Sequence, residues 1–303
     1  MNANTRANTI GFVGLGAMGS GMAANLVAAG RAVVGYDIND ARNRELADLG
    51  ASIGLDPANV ASRAATVVTM VDTTAQTREV LLGERGAAAG ARSGDLVICT
   101  STVEPTAIID IHDRLRESEI SMIDAGVTGM IKGAREGTLR ALVGGDAADL
   151  ERARFALEPM TSDIVHVGPV GRGVMMKLIN NMLYKVNSIA AIEAMVLGAK
   201  AGIDPVLMRD VITASTGNSV AFGYRAQRII DRDFDGVRLD ISCKDLELEG
   251  GLGRAFRVPL FMQAVCSQVY EMGRAAGLGD RDATALVTIY EQLTGTKVTP
   301  RQG

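Results

Sequence analysis

Residues 9–19 read TIGFVGLGAMG and decide the fold of the first half of the chain. The apolar run Thr9–Val13 leads directly into Gly14-Leu15-Gly16-Ala17-Met18-Gly19, after which apolar residues recur at helical spacing. In such a loop the first glycine permits a tight turn, the second lets the backbone approach a pyrophosphate, and the third allows helix and strand to pack closely. A strand, a glycine loop and a helix in this order predict that residues 14–19 bind a dinucleotide.

An acidic residue stands at the end of the next apolar run, about 20 residues beyond the loop. There the carboxylate of Asp37 would accept hydrogen bonds from the adenosine ribose and repel a 2′-phosphate. No arginine follows before Arg42, so we expect NAD as the cofactor and consider NADP the poorer fit. The alternative is that Asp37 caps a helix beginning near Ala41.

Short apolar runs alternate with helical stretches up to about residue 168, a pattern typical of a parallel sheet covered by helices. Beyond it the spacing is helical only. The sequence predicts an α/β Rossmann-type N-terminal domain over residues 1–168 and an all-α substrate and dimerisation domain over residues 169–303. A long, buried interdomain helix, Val174–Ala201, would join them, and residues 1–7 and the last few would be disordered. The predicted strands are Thr9–Val13, Ala32–Tyr36, Thr66–Val71, Leu96–Thr100, Met122–Ala125, Ala141–Val143 and Ile164–Val167.

Composition argues against several classes of partner. The net charge is -4 without any long basic run, so no nucleic acid is expected. The uncharged stretch between Arg6 and Arg31 holds six glycines, which argues against a membrane span. Three cysteines without CxxC spacing and two distant histidines predict neither disulfides nor a metal site. We therefore expect a cytoplasmic protein with a small-molecule ligand.

The long helix begins with Gly171-x-Gly173-x-x-x-Lys177-x-x-Asn180-Asn181. The four-residue spacing puts Lys177 and Asn181 on one helical face. A buried ammonium is costly without partners, and burial lowers the pKa of a lysine toward the range useful for proton transfer. The residues alone leave open a lysine that extends along the surface to solvent.

The chain resembles the β-hydroxyacid dehydrogenase family within the 6-phosphogluconate dehydrogenase superfamily, which includes 3-hydroxyisobutyrate dehydrogenase and tartronate semialdehyde reductase. The resemblance covers about residues 8 to 295 and rests on stretches that occur in the family's order. These stretches are the glycine loop with Met22-Ala23-Ala24-Asn25-Leu26, then Ser101-Thr102-Val103-Glu104-Pro105, Asp124-Ala125-Gly126-Val127-Thr128-Gly129, the Gly171 to Asn181 element, Lys244-Asp245-Leu246 and Gly277-Leu278-Gly279-Asp280-Arg281-Asp282.

The resemblance implies a reaction in which a small 3-hydroxy acid and its semialdehyde are interconverted by hydride transfer with NAD, without a metal. It implies Lys177 as the catalytic acid/base and Asn181 as the residue that orients the substrate. It also implies a homodimer or homotetramer. By the same resemblance Ser101, Thr128 and Gly129 hold the substrate carboxylate, and Val71, Thr102 and Lys244 line the cofactor.

Each of these roles has a structural alternative. Ser101 and Thr102 could cap the helix before Pro105, Thr128 could be a turn residue, and Lys244 a solvated surface charge. The competing activities are an imine reductase of the same superfamily, against which Lys177 and Asp37 both argue, and a non-catalytic dinucleotide-binding protein.

Three departures from the family fall where substrate would lie. The family usually has Asp-Ala-Pro-Val-Ser-Gly-Gly in the third stretch. This chain has Gly126 in place of the proline and Met130 in place of the last glycine, and Val237 stands where an aromatic residue is usual. These departures predict a substrate other than 3-hydroxyisobutyrate.

Overall fold

The computed structural model describes residues 3–300. Contacts between residues divide the chain into two compact units, Met1–Lys177 and Leu178–Gly303. The boundary falls inside one continuous helix, Arg172–Lys200. This helix corresponds to the long helix predicted from the sequence.

The first unit is built on one sheet of eight strands in the order β3-β2-β1-β4-β5-β6-β7-β8. Its helices and strands confirm the predicted Rossmann-type class. The strands are β1 Thr9–Val13, β2 Ala32–Tyr36, β3 Ser52–Ile53, β4 Thr66–Thr69, β5 Leu96–Cys99, β6 Ser121–Thr128, β7 Leu139–Gly144 and β8 Thr161–Gly168. The helices are α1 Ala3–Ala7, α2 Gly19–Ala28, α3 Asp40–Asp48, α4 Pro57–Arg63, α5 Thr74–Leu82, α6 Ala87–Gly90, α7 Pro105–Arg116, α8 Met130–Glu136 and α9 Ala147–Leu157, followed by a 3₁₀ turn Glu158–Met160 and by α10 Arg172–Lys200.

Buried aliphatic side chains cover both faces of the central strands. Successive residues of a strand point to opposite faces. Ile98 accordingly belongs to one apolar cluster, and its neighbour Val97 to another on the other side. Helices bury both faces of the sheet. The sequences of these strands are therefore continuous apolar runs and do not alternate between apolar and polar residues.

The sheet is mainly parallel, as predicted, with one exception, because β7 runs antiparallel to β6. Only ten residues, 129–138, connect the two strands. A parallel crossover needs a dozen or more residues, so the short connection allows only the antiparallel pairing. The two-residue strand β3 pairs with β2 and was not predicted.

The N-terminal segment also differs from the expectation of disorder over residues 1–7. Residues 3–7 form helix α1, and Met1 and Asn2 lie outside the described residues, as do the last three. The guanidinium of Arg6 forms a bidentate ion pair with Asp95 and donates a hydrogen bond to the carbonyl oxygen of Ala61 at 2.9 Å. Both charged side chains are buried, so the pair fixes this segment against the unit.

In the second unit the regular elements of the described residues, 178–300, are all helices, apart from one isolated bridge between Arg238 and Asp282. Its all-α class is therefore as predicted. Its core includes the fully buried Tyr270 and Met195. After the rest of α10, its helices are α11 Pro205–Thr213, α12 Val220–Asp231, α13 Leu239–Phe256, α14 Phe261–Ala275, a 3₁₀ turn Ala283–Leu286 and α15 Val287–Thr294.

Helix α10 is less buried in the single chain than predicted. Leu183 and Leu197 are 59% and 72% exposed. The helix is long and apolar enough to cross a membrane by length and composition, and the core helix of a soluble protein meets the same criteria.

Candidate active site

Four of the predicted site segments of the first unit follow neighbouring parallel strands. The glycine loop follows β1, Asp37 follows β2, Val71 follows β4 and Ser101 follows β5. Because β1 lies between β2 and β4, the strand order reverses next to the loop. Ligands of open α/β sheets bind at such a reversal, outside the carboxyl ends of the strands.

The glycine loop has the shape that a pyrophosphate requires. Gly14 has φ +95°, and a Cβ there would lie 2.2 Å from the carbonyl oxygen of Met70. A Cβ on Gly19 would lie 2.0 Å from the carbonyl oxygen of Gly14, whereas one on Gly16 would meet nothing within 4 Å. Packing therefore explains the first and third glycines, and the second leaves open space for a ligand. No side chain caps α2 and its first turn has no acidic residue, so its N-terminal N–H groups suit an anion.

Asp37 ties the end of β2 to this loop. Its Oδ2 accepts a hydrogen bond from the backbone N–H of Leu15 at 2.6 Å, and its Oδ1 accepts one from Asn39 at 2.8 Å. The N-cap of α3 is Asn39, whose side chain accepts from Ala41, so Asp37 is not the cap considered above. The half-buried carboxylate thus lies beside the loop, where the residues fit NAD.

Ser101 links the ends of β4 and β5. Its Oγ accepts from the backbone N–H of Val71 at 2.8 Å, and the residue is 2% exposed. The N-cap of α7 is Glu104, without a capping side chain, so neither Ser101 nor Thr102 caps that helix. The hydroxyl hydrogen of Ser101 remains to be donated, and the Cys99 thiol is one group within its reach.

Strand β6 and the start of α10 bring Lys177 to the same sheet. Asp124, Gly126 and Thr128 share one face of β6 because they are two residues apart. The carboxylate of Asp124 accepts from the backbone N–H groups of Gly171 at 2.6 Å and Val174 at 2.7 Å, which tethers the first turn of the helix. A Cβ on Gly126 would lie 2.7 Å from the Cβ of Lys177.

Asp124 has an unusual charge environment. Burial raises the pKa of its carboxyl from 3.8 to about 6, although the N–H groups of Val174 and Gly171 act in the opposite direction. Because the carboxyl is 1% exposed, its task is structural. No role for Asp124 was predicted from the sequence, although the residue begins one of the family-like stretches.

Beyond Thr128 the strand ends in a strained turn. Gly129 has φ +129° and is exposed, and Met130 has φ +58° with 38% exposure. A methionine in the left-handed region is uncommon and costs about 1–3 kcal/mol. Thr128 is the last residue of β6, so it is not part of the turn.

The second unit surrounds Asn181 with charges. The amide nitrogen of Asn181 donates to Oδ2 of Asp245 at 3.1 Å, and the ammonium of Lys244 lies 3.2 Å from Oδ1 of Asp245. Because a carboxylate only accepts hydrogen bonds, the carbonyl oxygen of Asn181 is left for another donor. Lys185, 4% exposed, pairs with Glu249 and lies 4.0 Å from Asp245.

Lys244 is therefore part of this network, with 28% of its side chain exposed. Sequence reasoning missed Asp245, Lys185 and Glu249. Lys185 could have been found, because it is a second lysine on an apolar helix, eight residues after Lys177. Across residues 3–300 the structure holds no group of three or more His, Cys, Asp or Glu side chains suited to a metal ion.

A glycine loop and an acidic residue at the carboxyl edge of a parallel sheet, followed by an all-α unit, define a dinucleotide-dependent oxidoreductase. Residues 9–168 match the model of the NAD binding domain of 6-phosphogluconate dehydrogenase. Residues 171–290 match the NAD-binding domain of NADP-dependent 3-hydroxyisobutyrate dehydrogenase. The chain belongs to the β-hydroxyacid dehydrogenase family, and is an NAD-dependent oxidoreductase.

Three relatives cover almost the whole chain. The 2-(hydroxymethyl)glutarate dehydrogenase of Eubacterium barkeri is 35% identical over 97% of this chain and 98% of its own. The L-threonate dehydrogenase of Cupriavidus necator is 36% identical over 93% and 95%. The structure of Mycobacterium tuberculosis 3-hydroxyisobutyrate dehydrogenase with L-serine has a TM-score of 0.87 at 32% identity, over 94% of this chain and 99% of its own.

Imine reductases are more distant. One from a Pseudomonas species is 19% identical with a TM-score of 0.60, over 94% of this chain and 99% of its own, a likeness that extends to the fold alone. The relatives thus favour a hydroxy-acid dehydrogenase over the alternative activity considered from the sequence.

Proposed function

We propose that the protein interconverts a small 3-hydroxy acid and its semialdehyde, with Lys177 as the acid/base. The observation that supports this most directly is the position of Lys177. The helix that carries it is tethered by Asp124 and packed on Gly126, two residues before Thr128. NAD, when bound, would supply the hydride acceptor. Lys177 would take the hydroxyl proton of the substrate during oxidation and return it during reduction.

The other residues would bind and orient the two ligands. Residues 14–19 and Asp37 would hold the pyrophosphate and the adenosine ribose, with Val71, Thr102 and Lys244 lining the cofactor. The hydroxyl groups of Ser101 and Thr128 and the backbone of Gly129 would bind the substrate carboxylate. Asn181, one helical turn after Lys177, would orient the substrate with its amide fixed by Asp245.

The substrate is proposed to differ from 3-hydroxyisobutyrate. Met130 occupies a left-handed position where a glycine would leave the backbone open, and its side chain is partly exposed beside Gly129. The relatives act on acids as different as L-threonate and 2-(hydroxymethyl)glutarate. A panel of these two acids with 3-hydroxyisobutyrate and L-serine, assayed with NAD and with NADP, measures the preferences for substrate and for cofactor. Equal turnover of every acid in the panel would contradict a reshaped pocket.

Replacing Lys177 with methionine tests the mechanism. The variant keeps an unbranched four-atom stem and removes the ammonium, so kcat should fall by about 10²–10⁴-fold while NADH binding is retained. Lys200→Met, in the last turn of the same helix, is the matched control and should keep full activity. Wild-type NADH production by Lys177→Met would exclude Lys177 as the acid/base and would reopen other oxidoreductase mechanisms.

We further propose a cytoplasmic homo-oligomer, dimer or tetramer. Support for association comes from large apolar side chains exposed in the helical unit, among them Phe261 at 79% and Leu197 at 72%. Support for a reducing compartment comes from Cys99, Cys243 and Cys266, which are all unpaired. Light scattering coupled to size-exclusion chromatography measures the oligomeric state. A monomer at the concentration used in the assay would contradict the proposed association.

A further inference from the structure

The part of helix α10 that belongs to the second unit carries an apolar stripe on its outer side. Residues on the opposite side, such as Ile192, belong to the core of the unit. In the stripe, Leu183 and Leu197 are 59% and 72% exposed, Ala190 is exposed and the other two members are partly exposed. Large apolar side chains on a surface mark a site of contact with another molecule. The stripe consists of Leu183, Val186, Ala190, Ala194 and Leu197.

The stripe is symmetric about Ala190. Its other members lie 4 and 7 residues before Ala190 and 4 and 7 residues after it. At 3.6 residues per turn, all of them lie within about 40° of Ala190 around the helix axis. The distance from Leu183 to Leu197 along the helix is about 21 Å, at 1.5 Å per residue. An alanine thus lies at the centre and a leucine at each end.

We propose that this stripe binds the same stripe of a second copy of the chain, with the two helices antiparallel and a two-fold axis at Ala190. The inference rests on the association proposed above and assigns a surface to it. In a two-fold contact, residue i of one copy meets residue j of the other, and j meets i. Antiparallel pairing about Ala190 therefore places Leu183 against Leu197 of the partner subunit. It likewise places Val186 against Ala194 of the partner subunit, so the stripe is complementary to itself.

The sizes of these side chains suit two closely packed helices. The small side chain of Ala190 lets the two helix axes approach to about 8 Å, and offsets of 4 and 7 residues suit helices that cross at about 20°. At this angle the axes are only about 1 Å farther apart at Leu183 and Leu197, roughly 10.5 Å from the crossing point. The larger leucine side chains can fill the wider gap at both ends.

Polar residues beside the stripe favour the antiparallel direction. Asn187 lies three residues before Ala190, and Glu193 lies three residues after it. Antiparallel pairing places the amide of Asn187, a donor, beside the carboxylate of Glu193 of the partner subunit, an acceptor. Glu193 already accepts a hydrogen bond from the hydroxyl of Tyr290 at 2.9 Å, and a carboxylate has lone pairs for further donors. A parallel pairing would instead bring the two Glu193 carboxylates together, which is unfavourable.

A pair of opposite charges across the axis tests both the surface and its direction. Leu183→Glu and Leu197→Lys each place a charge against an apolar side chain, so each single variant should halve the mass measured by light scattering. The double variant places the new carboxylate against the new ammonium at both ends, so it should regain the wild-type mass. The two positions are about 21 Å apart within one chain, too far to pair there. Circular dichroism and NADH binding report whether each variant is folded.

The matched control for these variants is Leu55→Glu. Leu55 is 78% exposed and lies in the first unit, outside the stripe. Its replacement adds the same charge at a similarly exposed leucine, so the wild-type mass should be kept. A mass halved by Leu55→Glu as well would mean that any added charge causes dissociation, and the assignment of the surface would fall.

Ala190→Cys tests the two-fold axis independently, without adding a charge. A residue on the axis meets its own copy, so diamide should oxidise the two thiols to one disulfide between the subunits. Asn187→Cys is the control, because a residue three positions from the axis does not meet its own copy. The native cysteines, Cys99, Cys243 and Cys266, are buried and should not be cross-linked. Gel electrophoresis without reductant measures the covalent dimer.

The results distinguish the association from its surface. A monomeric wild-type protein would overturn both. A wild-type oligomer whose mass is unchanged in Leu183→Glu and in Leu197→Lys would keep the association and overturn the surface. Folded single variants that dissociate without recovery in the double variant would overturn the antiparallel pairing. Cross-linking of Asn187→Cys as fast as that of Ala190→Cys would overturn the position of the axis.

Discussion

The titration of Asp124 should make the stability of the protein fall as the pH rises from about 4 to 7. Two effects oppose each other at this carboxyl. Its two hydrogen bonds to backbone N–H groups, at 2.6 and 2.7 Å, favour the ionised form, and burial disfavours it. Burial prevails, because the pKa rises from 3.8 to about 6.

The sign of the effect follows from proton binding. Between the unfolded and folded pKa values the folded chain binds more protons at Asp124 than the unfolded chain. The resulting stabilisation is fully present below about pH 4 and is lost as the pH rises through 6. A shift of about two pK units corresponds to about 3 kcal/mol in the free energy of unfolding.

Asp124→Asn isolates this contribution. The amide does not titrate and keeps one oxygen acceptor, but it leaves one of the two helix N–H groups without an acceptor, which costs about 1–3 kcal/mol at any pH. Urea unfolding of both proteins, followed by circular dichroism, gives their difference in unfolding free energy at each pH. The wild-type value minus that of the variant should fall by about 3 kcal/mol from pH 4 to pH 7.

A flat difference would mean that Asp124 keeps its ordinary pKa in the folded chain. A difference that rises with pH would mean that the hydrogen bonds outweigh burial and lower the pKa. Either result would refute the reasoning. Subtracting the variant removes the contribution of every other titrating group that the two proteins share.

Two further predictions concern other charges. Asp37→Asn should weaken NADH binding about 10- to 100-fold, the scale of lost charge-assisted hydrogen bonds, and strengthen NADPH binding, both measured by titration; unchanged Kd values would remove Asp37 from the cofactor site. Glu249→Gln should lower the free energy of unfolding by about 3–5 kcal/mol, because the buried ammonium of Lys185 loses its hydrogen-bonded carboxylate and keeps only the more distant Asp245. The double variant Lys185→Met with Glu249→Leu should lose much less. Equal losses of the two variants in urea unfolding would contradict this account of the pair.

The α/β unit could be read from the sequence because its strands are buried on both faces. Leu96–Cys99 is a continuous apolar run, and the glycine loop supplies a turn that few other sequences form. The direction of β7 was predictable in principle, since the connection from Thr128 to Leu139 is too short for a parallel crossover. The alternation of apolar runs and helices predicts a parallel sheet and does not by itself distinguish this one antiparallel pair.

Other features depend on partners distant in sequence. Arg6 fixes α1 only because Asp95 lies across the unit, 89 residues later. The tether between Asp124 and the start of α10 spans 47 residues to Gly171, and no local pattern indicates it. The residue types of the site followed from motifs and resemblance, whereas the contacts that position them required the tertiary structure.

Strand β6 is closely packed over its inner residues and partly exposed at its outer end. Its inner residues, Asp124 and Gly126, lie against α10 at backbone distance, and Asp124 holds the first turn of that helix. Its outer end, from Thr128 to Met130, is partly exposed and tolerates a strained methionine. Under the proposed mechanism, proton transfer and substrate choice would depend on successive stretches of one strand. Under the proposed mechanism, the outer end can vary while Lys177 stays in place, which agrees with relatives named for different hydroxy acids at 35% and 36% identity to this chain.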